Sequence, residues 1–132
     1  MTISYSLDLI PEPKEVAELL IAGGFLRPLE DLQRVQRMLD HGNITVTVRN
    51  NNRLVGFCRA ISDGSYYCLV AEVVVAIESK GQGIGKRMLD LVQQEAGEEV
   101  NLVLTSSEEG EPFYEHLGWE RVERAFRLKG RR

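Results

Sequence analysis

The sequence predicts a single mixed α/β domain in the order β-α-α-β-β-β-α-β-α-β. Three observations point to it. Short apolar runs of strand length alternate with segments of helical period. Two apolar runs, "ITVTV" (44–48) and "RLVGFCRAI" (53–61), are separated by Arg49 and a turn of three asparagines, Asn50 to Asn52, which reads as an antiparallel hairpin. Further on, "YYCLVAEVVVAI" and "VNLVLTS" flank one amphipathic segment, the strand-helix-strand crossover that makes a parallel pair. The 132 residues fit one domain with a sizeable core, and no repeat, low-complexity tract or linker divides them, so the expected domain is 1–132.

The elements follow in order. "TISYSLDL" alternates weakly and reads as a first strand. "PEPKEVAELLIAGG" reads as a helix, with Pro13 at its start, Val16, Leu19 and Leu20 on one face, and Gly23-Gly24 as its stop. "RPLEDLQRVQRMLDHGN" reads as a second helix, with Pro28 near its start, a stripe of Leu29, Leu32, Val35 and Leu39, and Gly42 at its end. The hairpin comes next, then a turn at "SDGS". The long strand after it is apolar on nearly every residue past Tyr67 except Glu72, so it should be covered on both faces. A helix from about Gly85 to Ala96 turns Ile84, Met88, Leu91 and Val92 inward, with Gly97 as its stop. "EGEPFYEHLGW" opens a last helix at Pro112, and "ERVERAFRLK", alternating Val122, Arg124, Phe126 and Leu128, reads as a final strand.

Composition excludes several classes. A net charge of −4 recruits neither nucleic acid nor an anionic membrane, and the basic stretch "RLKGRR" reads as solvated chain. No apolar run approaches the ~20 residues of a membrane helix, and "MTISYSLDLIPEP" lacks the pattern of a signal peptide, so the expected location is cytoplasmic. Cys58 and Cys68 sit in strand-like stretches and read as small buried hydrophobes. Neither His41 nor His116 is spaced to join them in a metal site or a nucleophile pair, so no metal is expected.

The stretch "ESKGQGIGKRMLDLV" (78–92) is the least generic. Gly81, Gly83 and Gly85 alternate between Lys80 and Lys86, after a strand and before a helix. A dinucleotide fingerprint fails because its third glycine would fall on Lys86. A P-loop fails because Arg87 stands where a serine or threonine is needed. The physics of anion binding survives both failures. Glycines let successive N–H groups face one concavity, and a helix N-terminus adds about half a positive charge.

With Lys80-Gly81-Gln82-Gly83-Ile84-Gly85 matching [R/Q]-x-x-G-x-[G/A], and "FYEHLGW" (113–119) placing Tyr114 ahead of a Gly-aromatic pair, the chain resembles the GNAT superfamily of acetyl-CoA-dependent N-acetyltransferases. The match in spacing and element order runs from about residue 44 to 119. It implies a GNAT-like acyl-CoA N-acyltransferase fold and acetyl-CoA as co-substrate. Two departures stand out: Lys80 where Arg or Gln is usual, which loses a forked donor, and Ser107 where many members carry an asparagine.

The resemblance implies roles for particular residues. The backbone of Lys80, Gly81, Gln82, Gly83, Ile84, Gly85 and Lys86 would cradle a pyrophosphate. Val73, Val74 and Val75 would pair with a pantetheine arm, with Ser107 as a further contact. Tyr114 corresponds to the usual general acid. A thiol near pKa ~8.5 and a tyrosine near ~10 make full proton transfer uphill by roughly 2 kcal/mol, so hydrogen bonding to the developing thiolate carries much of its effect. Glu72 stands where members often carry an acid serving as a base. An alkyl ammonium must lose its proton before attack, at about 4.6 kcal/mol at pH 7. Against this stands the bland reading of Glu72 as a strand carboxylate paired with a basic neighbour. Phe25, Arg27, Tyr66 and Tyr67 are candidate acceptor-pocket residues, and Trp119 is expected under the last helix. The expected reaction is direct attack by a primary amine, of a small molecule or a peptide, in a ternary complex. The alternative is a non-catalytic acyl-CoA-binding sensor or interaction module of the same fold. A homodimer is compatible with the sequence.

Overall fold

The computed structural model describes residues 2–131. Five strands form one sheet whose spatial order equals their chain order: β1 (Ile3–Ser6), β2 (Ile44–Asn50), β3 (Arg53–Ser62), β4 (Tyr67–Val75) and β5 (Asn101–Val103). The first four pair antiparallel, and β4 pairs β5 in parallel. Helices α1 (Pro13–Ala22) and α2 (Leu32–His41) precede the hairpins, α3 (Ile84–Ala96) is the crossover, and α4 (Glu111–His116) follows β5.

Local chemistry explains the joints. The β2–β3 turn puts Asn51 and Asn52 at φ 50° and 75°, a left-handed pair that asparagine tolerates and that matches strand twist. The Asp63 carboxylate accepts from the N–H groups of Ser65, Tyr66 and Tyr67, which closes the β3–β4 turn and holds its pKa low. Pro13 opens α1, and Glu12 with Glu15 forms a capping box.

Adjacent residues of a strand face opposite sides of the sheet, and this places the helices. Phe57 is paired with Val74, which packs against Gly23 at the end of α1. Its neighbour Gly56 packs against Ile84 at the start of α3. The two helices therefore cover opposite faces, and every residue of β3 from Leu54 to Ala60 is buried. Val16 and Leu20 of α1, Val35 and Leu39 of α2, and Met88 and Val92 of α3 complete the core.

Three expectations are corrected. The second helix begins at Leu32, not near Pro28, because the Asp31 side chain accepts the Arg34 N–H and caps it there. Leu29 is still buried, from a loop, while Leu32 is exposed. The long strand stops at Val75 and a short 3-10 turn, Ile77–Ser79, carries the chain into the glycine loop. The expected final strand has no ladder partner among the described residues, and 120–131 are exposed.

Candidate active site

The site begins where two parallel strands part. β4 and β5 pair only over Tyr67, Cys68 and Leu69 against Asn101, Leu102 and Val103. β4 then continues to Val75, while the chain beyond Val103 turns away. The wedge between them is a cleft of about 560 Å³. One wall is residues 70–75 of β4, the other is Leu104, Thr105, Ser106 and Ser107, and the glycine loop and Tyr114 close its ends.

The β4 wall presents backbone. The Ala76 N–H donates to Val55 O on β3 at 2.7 Å. Strand alternation then turns the main-chain groups of Val75 and Val73 away from β3, toward the cleft. No β5 residue pairs with them. A register shift opposite Arg59 and Ala60 leaves Ala71 as an extra residue, a bulge at the point where β4 leaves β5.

The glycine loop divides into two functions. Gly81 and Gly83 have φ +80° and +78°, and a Cβ on either would meet open space. They are glycines for conformation and for an uncovered backbone. Gly85 differs: a Cβ there would lie 3.1 Å from the Phe113 ring, so this glycine lets α4 pack against α3. The first intrahelical bond in this turn is from the Arg87 N–H to Gly83 O, which leaves the N–H groups of Ile84, Gly85 and Lys86 unspent by the helix. Lys80 is exposed at the rim, and Lys86 shares its charge with Asp90 at 3.0 Å.

Tyr114 lines the same cleft from α4. Its ring packs edge-on against Phe113 at 5.0 Å and near Trp119 at 5.5 Å, which holds Trp119 beside α4. Burial, then the nearby Cys58, pushes the Tyr114 phenol up to about 12. Burial also pushes Cys58 up to about 12, so its thiol is a packed group and not a nucleophile. The Ser107 Oγ accepts the Gly110 N–H at 3.1 Å, so this serine caps the turn into α4 while lining the cleft.

Glu72 has a different environment from the one a base needs. Its side chain is fully buried, and one oxygen accepts from Arg59 Nε at 2.6 Å. The other accepts from Arg59 at 2.7 Å and from Arg27 at 2.8 Å. Arg59 was not expected as a site residue, although it is the lone charge inside an apolar strand, the same signal that singled out Glu72. Its stem lies on Gly42, where a Cβ would come within 2.9 Å. Arg27 is 32% exposed and stacks over Phe25, at 5.4 Å from the ring centroid. Phe25 and Glu72 line the cleft, so the cluster borders it. Tyr66 does not join it: it is 72% exposed at the far end of β4, and neither it nor Tyr67 lines the cleft.

An acetyltransferase (GNAT) domain model matches residues 22–132. The chain belongs to the GNAT acetyltransferase family. It is 31% identical over 94 residues to an uncharacterized N-acetyltransferase, ycf52, of Gracilaria tenuistipitata var. liui, covering 67% of this chain and 52% of that one. The chain thus spans about half the length of the curated relatives it matches first. Among solved structures, a probable acetyltransferase of Staphylococcus aureus superposes with a TM-score of 0.84 at 20% identity, covering 98% of this chain and all of that one. An acetyltransferase from Clostridium acetobutylicum, solved with acetyl-CoA, has a TM-score of 0.76 at 17% identity, covering 97% and 96%. Both show the same GNAT fold, the mixed α/β class expected from the sequence.

Proposed function

We propose that this GNAT domain transfers the acetyl group of acetyl-CoA to a primary amine by direct attack in a ternary complex. The carrying observation is that one cleft is lined at once by an unpaired strand edge, a left-handed glycine loop at a helix N-terminus, and a partly buried tyrosine. A pantetheine arm carries amide groups that a strand edge can pair, and a pyrophosphate suits free N–H groups at a helix start. The residues present fit acetyl-CoA on both counts.

The main chain of Val73 and Val75 would hold the arm, while that of Val74, also expected there, faces Phe57 on β3, and the N–H groups of residues 81–86 would hold the phosphates. Acetyl-CoA supplies an activated thioester carbonyl. The Val75 N–H, turned toward the cleft, would polarise that oxygen. Tyr114 stays protonated throughout the physiological range, so it is always able to donate a hydrogen bond to the departing sulfur. Its raised pKa makes outright proton transfer still less favourable, and donation is the larger part of its role.

Glu72 is reassigned from base to positioning residue. Three N–H donors already occupy its oxygens. Taking a proton there would strand two guanidinium groups beside a neutral acid. Glu72 instead fixes Arg27 and Arg59 at the acceptor side, and the amine proton leaves through water. The test is thiol release from acetyl-CoA with a panel of primary amines, small-molecule and peptide. Turnover with at least one supports the enzyme; binding of acetyl-CoA without turnover by any amine would favour a sensor module.

A further inference from the structure

A second, smaller cavity lies beside the cleft, between β3, α2 and the loop that joins α1 to α2. It has a volume of about 150 Å³, and Arg27, Arg34 and Arg59 line it together with Leu29, Val35 and Met38. Among the described residues no acid lines it. In a chain of net charge −4, three guanidinium groups around so small a space are a local reversal of sign. The space is several times the ~30 Å³ that one water occupies, which is room for a carboxylate and a short carbon chain.

Structural duty accounts for only part of this charge. Both oxygens of Glu72 are already filled by Nε and Nη2 of Arg59. Arg27 adds a second guanidinium through Nη1, so two cations face one anion and one positive charge is left over. Arg34 has no ion-pair partner among the described residues, and the Asp31 carboxylate is turned to the Arg34 main-chain N–H as the cap of α2. Arg59 Nη1 and Arg27 Nη2 likewise meet no acceptor among the described residues. Neither is a buried orphan, since Asn50 Oδ1 is the only such side-chain atom among those residues. Both donors therefore open onto space that a ligand can reach. An oxyanion there would complete the half-buried cluster with charge-assisted hydrogen bonds.

Arg27 belongs to both cavities. It stacks over Phe25 and bonds Glu72 at 2.8 Å, and both of those residues line the cleft. Its place is fixed by its neighbours in the loop: Leu29 is 3% exposed, and the Phe25 N–H donates to Leu20 O at the end of α1. An anion on the far side of Arg27 thus lies one side chain away from the cleft. We infer that the small cavity is an anion subsite for the acceptor, and that the acceptor is a primary amine that also carries a carboxylate. This rests on the acetyl-transfer reading above and names its substrate class. A carboxylate suits the site better than a phosphate dianion because the cluster of Arg27, Arg59 and Glu72 lacks a single negative charge, while Arg34 is exposed to solvent. The two oxygens of a carboxylate also match the planar fork of a guanidinium.

The experiment compares the standard α-amino acids, β-alanine and 4-aminobutyrate with their carboxamides, which keep the amine and lose the negative charge. In thiol release from acetyl-CoA, at least one acid is expected to exceed its amide in kcat/KM by roughly 10- to 100-fold, the scale of hydrogen bonds to a charged group. Arg27→Gln should abolish that ratio by raising KM for the acid, and Arg27→Lys should restore part of it. Equal kcat/KM for acids and amides would overturn the inference and leave acetyl transfer standing. A second readout needs no turnover. In chain saturated with coenzyme A, the Arg27 Nε–Hε NMR signal, identified by its loss in Arg27→Lys, should shift saturably with an acid of the panel and not with its amide. Such a shift without turnover would keep the anion subsite while the transfer reading fails. No shift with any acid, or a larger one with 2-aminoethyl phosphate, would overturn the inference.

Discussion

Glu72 is buried and Tyr114 partly buried beside one cleft, and their surroundings differ. Glu72 is held by two guanidinium groups, so its removal should cost stability before it costs chemistry. Glu72→Gln is expected to lower unfolding free energy by about 3–5 kcal/mol, the range for breaking a buried ion pair. In a chemical denaturation series a loss under 1 kcal/mol would contradict this. At temperatures where the variant is folded, the rise of kcat/KM with pH should persist, because the amine's own ionisation sets it; loss of that rise would restore Glu72 as the base. Tyr114→Phe keeps the packing against Phe113 and Trp119 and deletes only the hydroxyl. It should bind acetyl-CoA normally and lower kcat by roughly 10²-fold, the scale of one lost hydrogen-bond donor at a reacting centre. Equal turnover by both proteins would remove Tyr114 from the mechanism. Tyr114 was legible in the sequence because a local motif surrounds it. Arg59 was not, because its meaning depends on being paired across a bulge with Glu72, thirteen residues away.

At the scale of elements, the loop between β4 and α3 separates two kinds of glycine that look alike in the sequence. Gly81 and Gly83 face open space at positive φ, whereas Gly85 supports the Phe113 ring. Gly83→Ala should cost about 1–2 kcal/mol for the left-handed conformation alone and leave α4 in place. Gly85→Val should instead disturb the α3–α4 contact and displace Tyr114 with it, so kcat should fall more steeply than acetyl-CoA affinity. Thermal melts and steady-state kinetics on the two variants would distinguish these roles; identical effects would contradict the division. Alternation and breakers revealed β2, β3, β4 and α3, since burial on both faces leaves a continuous apolar run. The start of α2 was misplaced because Pro28 is a strong local signal, while the cap at Asp31 is a single side-chain hydrogen bond.

For the whole molecule, the sheet's parting strands make the cleft and its buried groups set the pH response. Cys58 and Tyr114 both have folded pKa values raised to about 12, from ordinary values of 9.0 and 10.0. The unfolded chain therefore releases these protons first as pH rises. Their stabilisation is complete below about pH 9 and is lost progressively toward pH 12. Denaturation midpoints should fall above pH 9, and Cys58→Ala should delay the onset toward pH 10; a curve unaffected by the substitution would contradict the assignment. The alternation of 120–128 was readable, yet the segment forms no ladder among the described residues, because alternation alone names no edge for a strand to meet. The most direct test of the central claim is calorimetric titration of the chain and of Gly83→Glu with acetyl-CoA, with ATP and NAD as controls. Selective micromolar binding by the chain, abolished in a folded Gly83→Glu variant, is the predicted result. Equal affinity in both proteins would contradict the cleft as the acetyl-CoA site.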